Sequence, residues 1–281
     1  MRTTGKTLAT LVFDSPWSAR IGAAIIVIYV FVAVFAPVIA PYGENEIIGV
    51  QYETWSDRFL LGTDNIGRDM LTRLIYGARN TIGIALLTTI LCFILGTGLG
   101  LLSAARGGWV DQLISRAIDA MMAIPMLIFA LLLLTVTGTS IIAMICIIAL
   151  LEMTRVYRLA RAVGLSVASQ ECVEVARLRG EGIWWIIRRE ILPNCIAPLI
   201  AEFGLRFCFV FLFISSLSFL GLGIQPPWAD WGSMVRENAS LVAFGELTPL
   251  LPAIAIAILT ISVNLVIDWF LHRSSGLKDN K

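Results

Sequence analysis

The chain has 281 residues, of which 58% are hydrophobic and 15% charged, with a mean hydropathy of +0.84. Soluble domains run at roughly 45–50% apolar and 25% charged, so this composition excludes an ordinary water-soluble globule and predicts an integral membrane protein. The net charge of +1 argues against nucleic acid as a partner, and five cysteines (Cys92, Cys146, Cys172, Cys195, Cys208) in or beside apolar stretches, without a CxxC or accompanying histidines, predict neither a disulfide nor a metal site.

Residues 1–18, with Arg2, Lys6 and then Pro16-Trp17, form a short polar tail. The uncharged run from Ile21 to Ala40 predicts a first transmembrane helix over 19–41. A cleaved signal peptide is the competing reading. Its apolar region normally covers only ~7–15 residues, so the longer run favours an uncleaved anchor.

From 42 to 79 the chain turns polar and acidic, with Glu44, Glu46, Glu53, Asp57, Asp64 and Asp69, and reads as an external loop. Within it, Thr63 or Asp64 can cap a following helix whose apolar residues Met70, Leu71, Leu74 and Ile75 suit an interfacial elbow. A calcium loop is disfavoured, because Asp64 and Asp69 lack the alternating oxygen ligands and the distal glutamate. The phrase LLGTDNIGRDMLTRLIYGAR, carrying Gly62, Thr63, Asp64, Gly67, Arg68 and Asp69, closely resembles the signature of the C-type permease of the dipeptide, oligopeptide and nickel importers.

Residues 80–105 carry no charge and predict a second span, with Gly96 and Gly100 forming a small-xxx-small face for close helix packing. The uncharged stretch 120–151 is too long for one span, and Thr137-Gly138-Thr139-Ser140 divides it. A third span is expected over 115–136, kinked at Pro125, and a fourth over 141–159. Arg155, Arg158, Arg161, Arg177, Arg179, Arg188 and Arg189 then assign the next loop to the cytoplasm.

That loop, 166–194, is the long polar interruption on the cytoplasmic side of the apolar spans. Val173, Ala176 and Arg177 fall at helical spacing, as do Ile183, Ile187 and Ile191, with Gly180 and Gly182 between. The pattern predicts helix, turn, helix over 170–194, with Gly180 at the left-handed position after the first helix and Pro193 stopping the second. An amphipathic helix lying on lipid is the competing reading, disfavoured by the glycine break and the acids Glu171, Glu174, Glu181 and Glu190. Glu174-Val175-Ala176, then Gly180, then Ile191-Leu192-Pro193 resembles the EAA loop of ABC importer permeases, with Val175 where that family usually has alanine. By this resemblance these seven residues form a coupling helix that docks into a cleft on a cytoplasmic ATPase.

A fifth span is expected over 195–222, with Glu202 and Arg206 spaced for an intramembrane ion pair. A structural pair is the favoured role over a substrate contact. The phrase SFLGLGIQPP and then Trp231-Gly232 resembles the same permease family. The last span is expected over 247–272, with Asp268 near its inner end, and 273–281 form a tail on the same side as the amino terminus.

No phosphate-binding glycine loop, histidine cluster or nucleophile–base pair is present, so no catalytic residue, metal or cofactor is assigned. The resemblance, covering residues 10–272, implies an all-α polytopic membrane protein of six transmembrane helices, like a type I ABC importer permease with a cytoplasmic coupling hairpin. Its core of five helices would occupy 80–272. It further implies a bacterial inner membrane location with both termini cytoplasmic, a homologous permease forming a heterodimer, two cytoplasmic ATP-binding subunits, and an external binding protein delivering peptides or a similar solute. The alternative is an autonomous ion-coupled secondary transporter using Glu152, Glu202 and Asp268, against which no internal repeat is visible.

Overall fold

The computed structural model describes residues 15–274; the tails at 1–14 and 275–281, with Arg2, Lys6, Lys278 and Lys281, lie outside the described residues. Every regular element described is helical, apart from the isolated bridge pairs Ile47 with Arg68 and Thr63 with Asp69. In chain order the helices are α1 (Trp17–Ile39), α2 (Met70–Arg106), α3 (Gly108–Met122), α4 (Met126–Thr137), α5 (Ile141–Ala168), α6 (Glu171–Leu178), α7 (Ile183–Phe219), α8 (Trp231–Glu237) and α9 (Leu250–Ser274).

Four of these, α1, α2, α7 and α9, are long and apolar enough to cross a membrane. The expected third span is not a kinked helix but two half-helices, α3 and α4, bent by 89° across the break at 123–125. Pro125 cannot donate the backbone bond that would join them, and α4 restarts with that proline as its N-cap. The expected fourth span, α5, has 28 residues, but its first eighteen already hold Glu152, Arg155 and Arg158. The six spans of the sequence reading therefore correspond to four helices long and apolar enough to cross, one sharply bent helix pair and one charged helix of sufficient length.

Two expected boundaries are corrected. The second span does not begin at residue 80: α2 runs unbroken for 37 residues from Met70, about 55 Å at ~1.5 Å per residue, so the interfacial elbow is its first turns. Its cap is Asp69, whose carboxylate accepts from the Thr72 amide at 2.8 Å, and neither Thr63 nor Asp64. Those two side chains are engaged inside the loop, where Thr63 donates to the Val50 carbonyl and Asp64 accepts from the Ile66 and Arg68 amides. Likewise Pro193 does not stop a helix. The chain widens into a single π-type turn at Ile187–Ile191 and continues into Leu192–Phe219, so the proline stands in the first turn of the new segment. There its missing N–H costs little, and the widened turn relieves the pressure of its ring on the preceding turn.

The tightest seam joins α2 to α5. A Cβ on Gly96 would meet Val156 Cβ at 2.7 Å, one on Gly100 would meet Ala160 Cβ at 2.8 Å, and one on Gly164 would meet Ala104 Cβ at 2.9 Å. Three glycines thus bring the two backbones together, as small-xxx-small faces do where no hydrophobic effect drives helices to associate. Gly98 faces open space. Gly100→Leu is therefore expected to cost about 1–3 kcal/mol of packing and to lower the thermal midpoint of the detergent-purified protein, while Gly98→Leu leaves it within error. Equal midpoints in the two variants would show that the seam is not close-packed.

Among the described helices, α1 closes against α9. Gly22 lets the α9 backbone approach, since a Cβ there would lie 2.7 Å from the Ser262 carbonyl, and Tyr29 donates its hydroxyl to the Ala255 carbonyl at 3.1 Å. The remainder of α1 presents Val27, Phe31, Val34 and Val38 outward, as a lipid-facing helix must.

Candidate functional site

At one end of the bundle α6 and the start of α7 form the expected hairpin. Gly180 has φ +79°, the left-handed conformation that glycine adopts most cheaply, directly after the last residue capping α6. Val173, Ala176, Ile186, Ile187 and Ile191 turn inward and pack with Leu101, Ala105, Ala160 and Val167 from the ends of α2 and α5. Arg177 donates to the Ala105 carbonyl at 2.8 Å and so satisfies one of the free acceptors at the C-terminus of α2. Of the predicted coupling residues, Ala176 and Ile191 are buried and Leu192 half-buried, whereas Glu174, Val175, Gly180 and Pro193 are exposed. Val175, Leu178 and Trp184 leave an apolar patch facing away from the bundle, with Glu174 beside it.

Next to the hairpin, Asp111 at the start of α3 takes both a 2.5 Å and a 2.6 Å bond from Arg161 of α5. Tyr157 extends the tie by bonding Ser103 of α2 and Ser115 of α3.

Deeper in the bundle the expected Glu202–Arg206 pair is present, Nε to Oε1 at 2.7 Å. The sequence did not give away its third member. Glu152 of α5 receives Arg206 Nη1 at 2.7 Å, so one guanidinium bridges two carboxylates from two helices. Asp268 does not belong to this cluster; it lies exposed on α9. The Arg206 guanidinium lies 4.8 Å from the centre of the Phe209 ring, and the Arg155 guanidinium stands 6.0 Å from the same ring. Arg155 in turn lines a cavity of about 220 Å³ at the α3–α4 break, with Thr154, Leu151, Met122, Pro125 and Phe129.

At the opposite end the signature residues build a lock. Asp64, only 1% exposed, holds Arg68 at 2.7 Å and lies 3.5 Å from Arg73 of α2, while Glu237 at the end of α8 stands 3.5 Å from Arg68 and 3.6 Å from Arg73. Two acids and two bases are thereby shared among the loop, α2 and α8. Gly62 and Gly67 adopt φ +74° and +87°, and a Cβ on either would strike the Glu53 or Gly49 carbonyl. Asp230 caps α8 through the Ser233 amide and accepts from Thr81, and its complete burial raises its carboxyl above the ordinary range. Trp231 donates to the Leu74 carbonyl at 2.9 Å, over the gap left by Gly77. The motifs that stood out in the sequence at 61–69 and 231–232 thus meet in space, through Arg68 with Glu237 and Trp231 with Leu74. Arg73, Asp230 and Glu237, which complete the lock, carry no local pattern that would have singled them out.

Residues 96–275 match the family described as binding-protein-dependent transport system inner membrane component. The chain belongs to that family. As a transport component of this kind it carries a second matched region over 17–56, described as the N-terminal TM domain of oligopeptide transport permease C, which covers α1 and the start of the loop. Among its relatives are the di/tripeptide transport system permease protein DppC of Pseudomonas aeruginosa (strain UCBPP-PA14), 35% identical over 92% of this chain and 85% of that protein, and the dipeptide transport system permease protein DppC of Haemophilus influenzae, 33% identical over 95% and 90%. A glutathione transport system permease protein of Pectobacterium atrosepticum is 29% identical over 90% of this chain and 83% of that one. Among solved structures, an amino acid ABC transporter shares the fold of this transport component, with TM-score 0.53 and 17% identity over 72% of this chain and 94% of the other.

Proposed function

We propose that the chain is one of two homologous membrane subunits of an ATP-driven importer of short peptides, and that the hairpin of α6 and early α7 is where a cytoplasmic ATPase engages it. The observation that carries this is the division of the hairpin into two faces. Its inner face is fixed to α2 and α5 by burial and by the Arg177 bond, and its outer face displays Glu174, Val175, Leu178 and Trp184. An exposed apolar patch rimmed by charge at the end of a membrane bundle fits a protein partner. The peptide assignment draws support from the di/tripeptide and dipeptide relatives. External delivery by a binding protein, the second permease and a pair of ATP-binding subunits follow from the same reading.

Motor closure on the hairpin would favour one packing of the bundle over another, and transport follows to the extent that the motor binds the two packings unequally. The arginines at the hairpin end support a reading in which that end lies in the cytoplasm of a bacterium and the lock at residues 61–73 outside its inner membrane. Both termini then lie inside.

Topology is tested by labelling in a cysteine-free background. Asp57→Cys and Glu246→Cys, both at exposed positions, are expected to react with an impermeant maleimide in intact cells, and Val175→Cys only after permeabilisation. External labelling at Val175→Cys would reverse the orientation and remove the coupling role. The substrate class is tested by purifying the complex with its binding protein and identifying the bound solute by mass spectrometry; peptides are expected, and a sugar or a metal chelate would overturn the assignment.

A further inference from the structure

At the lock end a cavity of about 170 Å³ opens between the loop at 42–69 and the segment leading into α9. Tyr52, Glu53 and Trp55 line it from the loop, and Glu246 and Thr248 from the other side. Among the described residues, neither the Glu53 nor the Glu246 carboxylate takes part in an ion pair or accepts a hydrogen bond. Thr248 is only 6% exposed, yet its hydroxyl has no hydrogen-bond partner among the described residues. Two carboxylates brought to one cavity disfavour each other's charge unless a cation joins them, and a buried hydroxyl without a partner is costly. The cavity is therefore built for a positively charged occupant.

Its size and chemistry narrow the choice. No group of three or more His, Cys, Asp or Glu side chains suited to a metal ion occurs among the described residues, and two carboxylates with a hydroxyl fall short of the oxygen set a calcium ion takes. A volume of about 170 Å³ is below the ~300–1,000 Å³ that enclose a whole small ligand, and suits a single side chain. An ammonium carries three donors, matched here by Glu53, Glu246 and Thr248, and the half-exposed Tyr52 and Trp55 rings offer π faces to its charge. The loop wall is fixed in advance: the Tyr52 amide donates to the Asp64 carbonyl at 3.1 Å, the Glu53 amide to Thr63 Oγ1 at 2.8 Å, and the Thr63 amide to the Glu53 carbonyl at 3.1 Å. Such a wall loses little freedom on binding. Arg58, the exposed base of the same loop, is occupied elsewhere, over the Phe59 ring and on the Ile48 carbonyl.

We propose that this cavity is a lysine-receiving pocket, and that the lysine is presented by the external binding protein when it docks. This rests on the importer reading above, in which the lock end faces outward. Glu53, Glu246 and Thr248 hold the ammonium, Tyr52 and Trp55 flank it, and exposed Glu46 and Asp57 on the same loop extend a negative field toward an approaching basic surface.

The test uses the full importer in lipid nanodiscs, with the Kd of its binding protein measured at low and high salt. The combined Glu53→Gln, Glu246→Gln chain is expected to raise that Kd about tenfold at low salt, with less effect at high salt. Maximal substrate-stimulated ATP hydrolysis at saturating binding protein is expected to stay at the wild-type value, and Glu46→Gln, outside the pocket, to change neither. Should the double variant fail to assemble, Glu246→Gln alone, at an exposed position, carries the comparison. In the wild type a carbodiimide, which condenses a carboxylate with an amine it touches into an amide, is expected to join Glu53 or Glu246 to a lysine of the binding protein, read by peptide mass spectrometry. A link to a lysine of the facing permease, no link at all, or an unchanged Kd overturns the pocket and leaves the importer reading standing. A wild-type complex whose ATP hydrolysis its binding protein does not stimulate defeats that reading, and the pocket with it.

Discussion

Arg206→Ala is expected to remove most of the folded protein from the membrane, and to do so far more severely than loss of either glutamate it binds. The side chains of Arg206, Glu152 and Glu202 are only 8%, 3% and 17% exposed, and the arginine is the single cation between two anions. Removing it leaves two unpaired carboxylates facing each other, and breaking a buried pair in this way costs about 3–5 kcal/mol. Removing one acid instead leaves a neutral pair. Glu202→Gln should therefore be mild, Glu152→Gln intermediate because it is the deeper residue and ties α5 to α7, and Arg206→Ala severe. The combined Glu152→Gln, Glu202→Gln, Arg206→Met chain should recover much of the loss, since it buries no charge. Quantifying folded protein by fluorescence-detected size exclusion checks the order. Normal amounts of Arg206→Ala protein without transport would move the cluster from architecture to the solute path.

A second large effect is expected at the hairpin. Gly180→Trp places a bulky residue at φ +79°, a conformation that costs an L-residue about 1–2 kcal/mol, but no atom lies within 4 Å of its Cβ position. The chain itself has room for the side chain; a protein docked on the turn does not. Glu174→Lys reverses an exposed charge beside Val175 without touching the packed face. Both variants should reach the membrane at wild-type levels and lose either ATPase co-purification or at least about tenfold of substrate-stimulated ATP hydrolysis in proteoliposomes, the equivalent of ~1.4 kcal/mol of docking energy. Full stimulated hydrolysis in both would leave the hairpin as a lipid-surface element.

The hairpin was legible in the sequence because its information is local. Glycine at the reversal and isoleucines at i, i+4, i+8 specify a turn and a buried stripe without reference to any distant residue. Glu202 and Arg206 were legible for the same reason, one turn apart on one helix. Glu152 was visible as an intramembrane charge, yet its partner lies 54 positions away, and a contact of that separation leaves no local spacing to read. Pro193 misled because a proline normally ends a helix, and nothing in the residues before it announces the widened turn that absorbs it. The phrase at 61–69 stood out by its turn residues, while the lock it forms depends on Arg73 and Glu237, which look like ordinary helix-end charges. The break at Pro125 was foreseen only as a kink, because sequence marks where a backbone bond is missing and tertiary packing decides how far the chain bends.

The pairing of α1 with α9 has a consequence for biosynthesis. α1 finds its main packing partner, including the Ser262 and Ala255 carbonyls that meet Gly22 and Tyr29, only when α9 has been made, with Ala255 lying 226 positions beyond Tyr29. Until then α1 has α2 and the Trp231 ring of α8 to lean on, with most of its surface in lipid. Closure of α1 against α9 is thus a late event of assembly, and a nascent chain cut short before α9 leaves the faces of Gly22 and Tyr29 without the carbonyls they meet in the finished bundle.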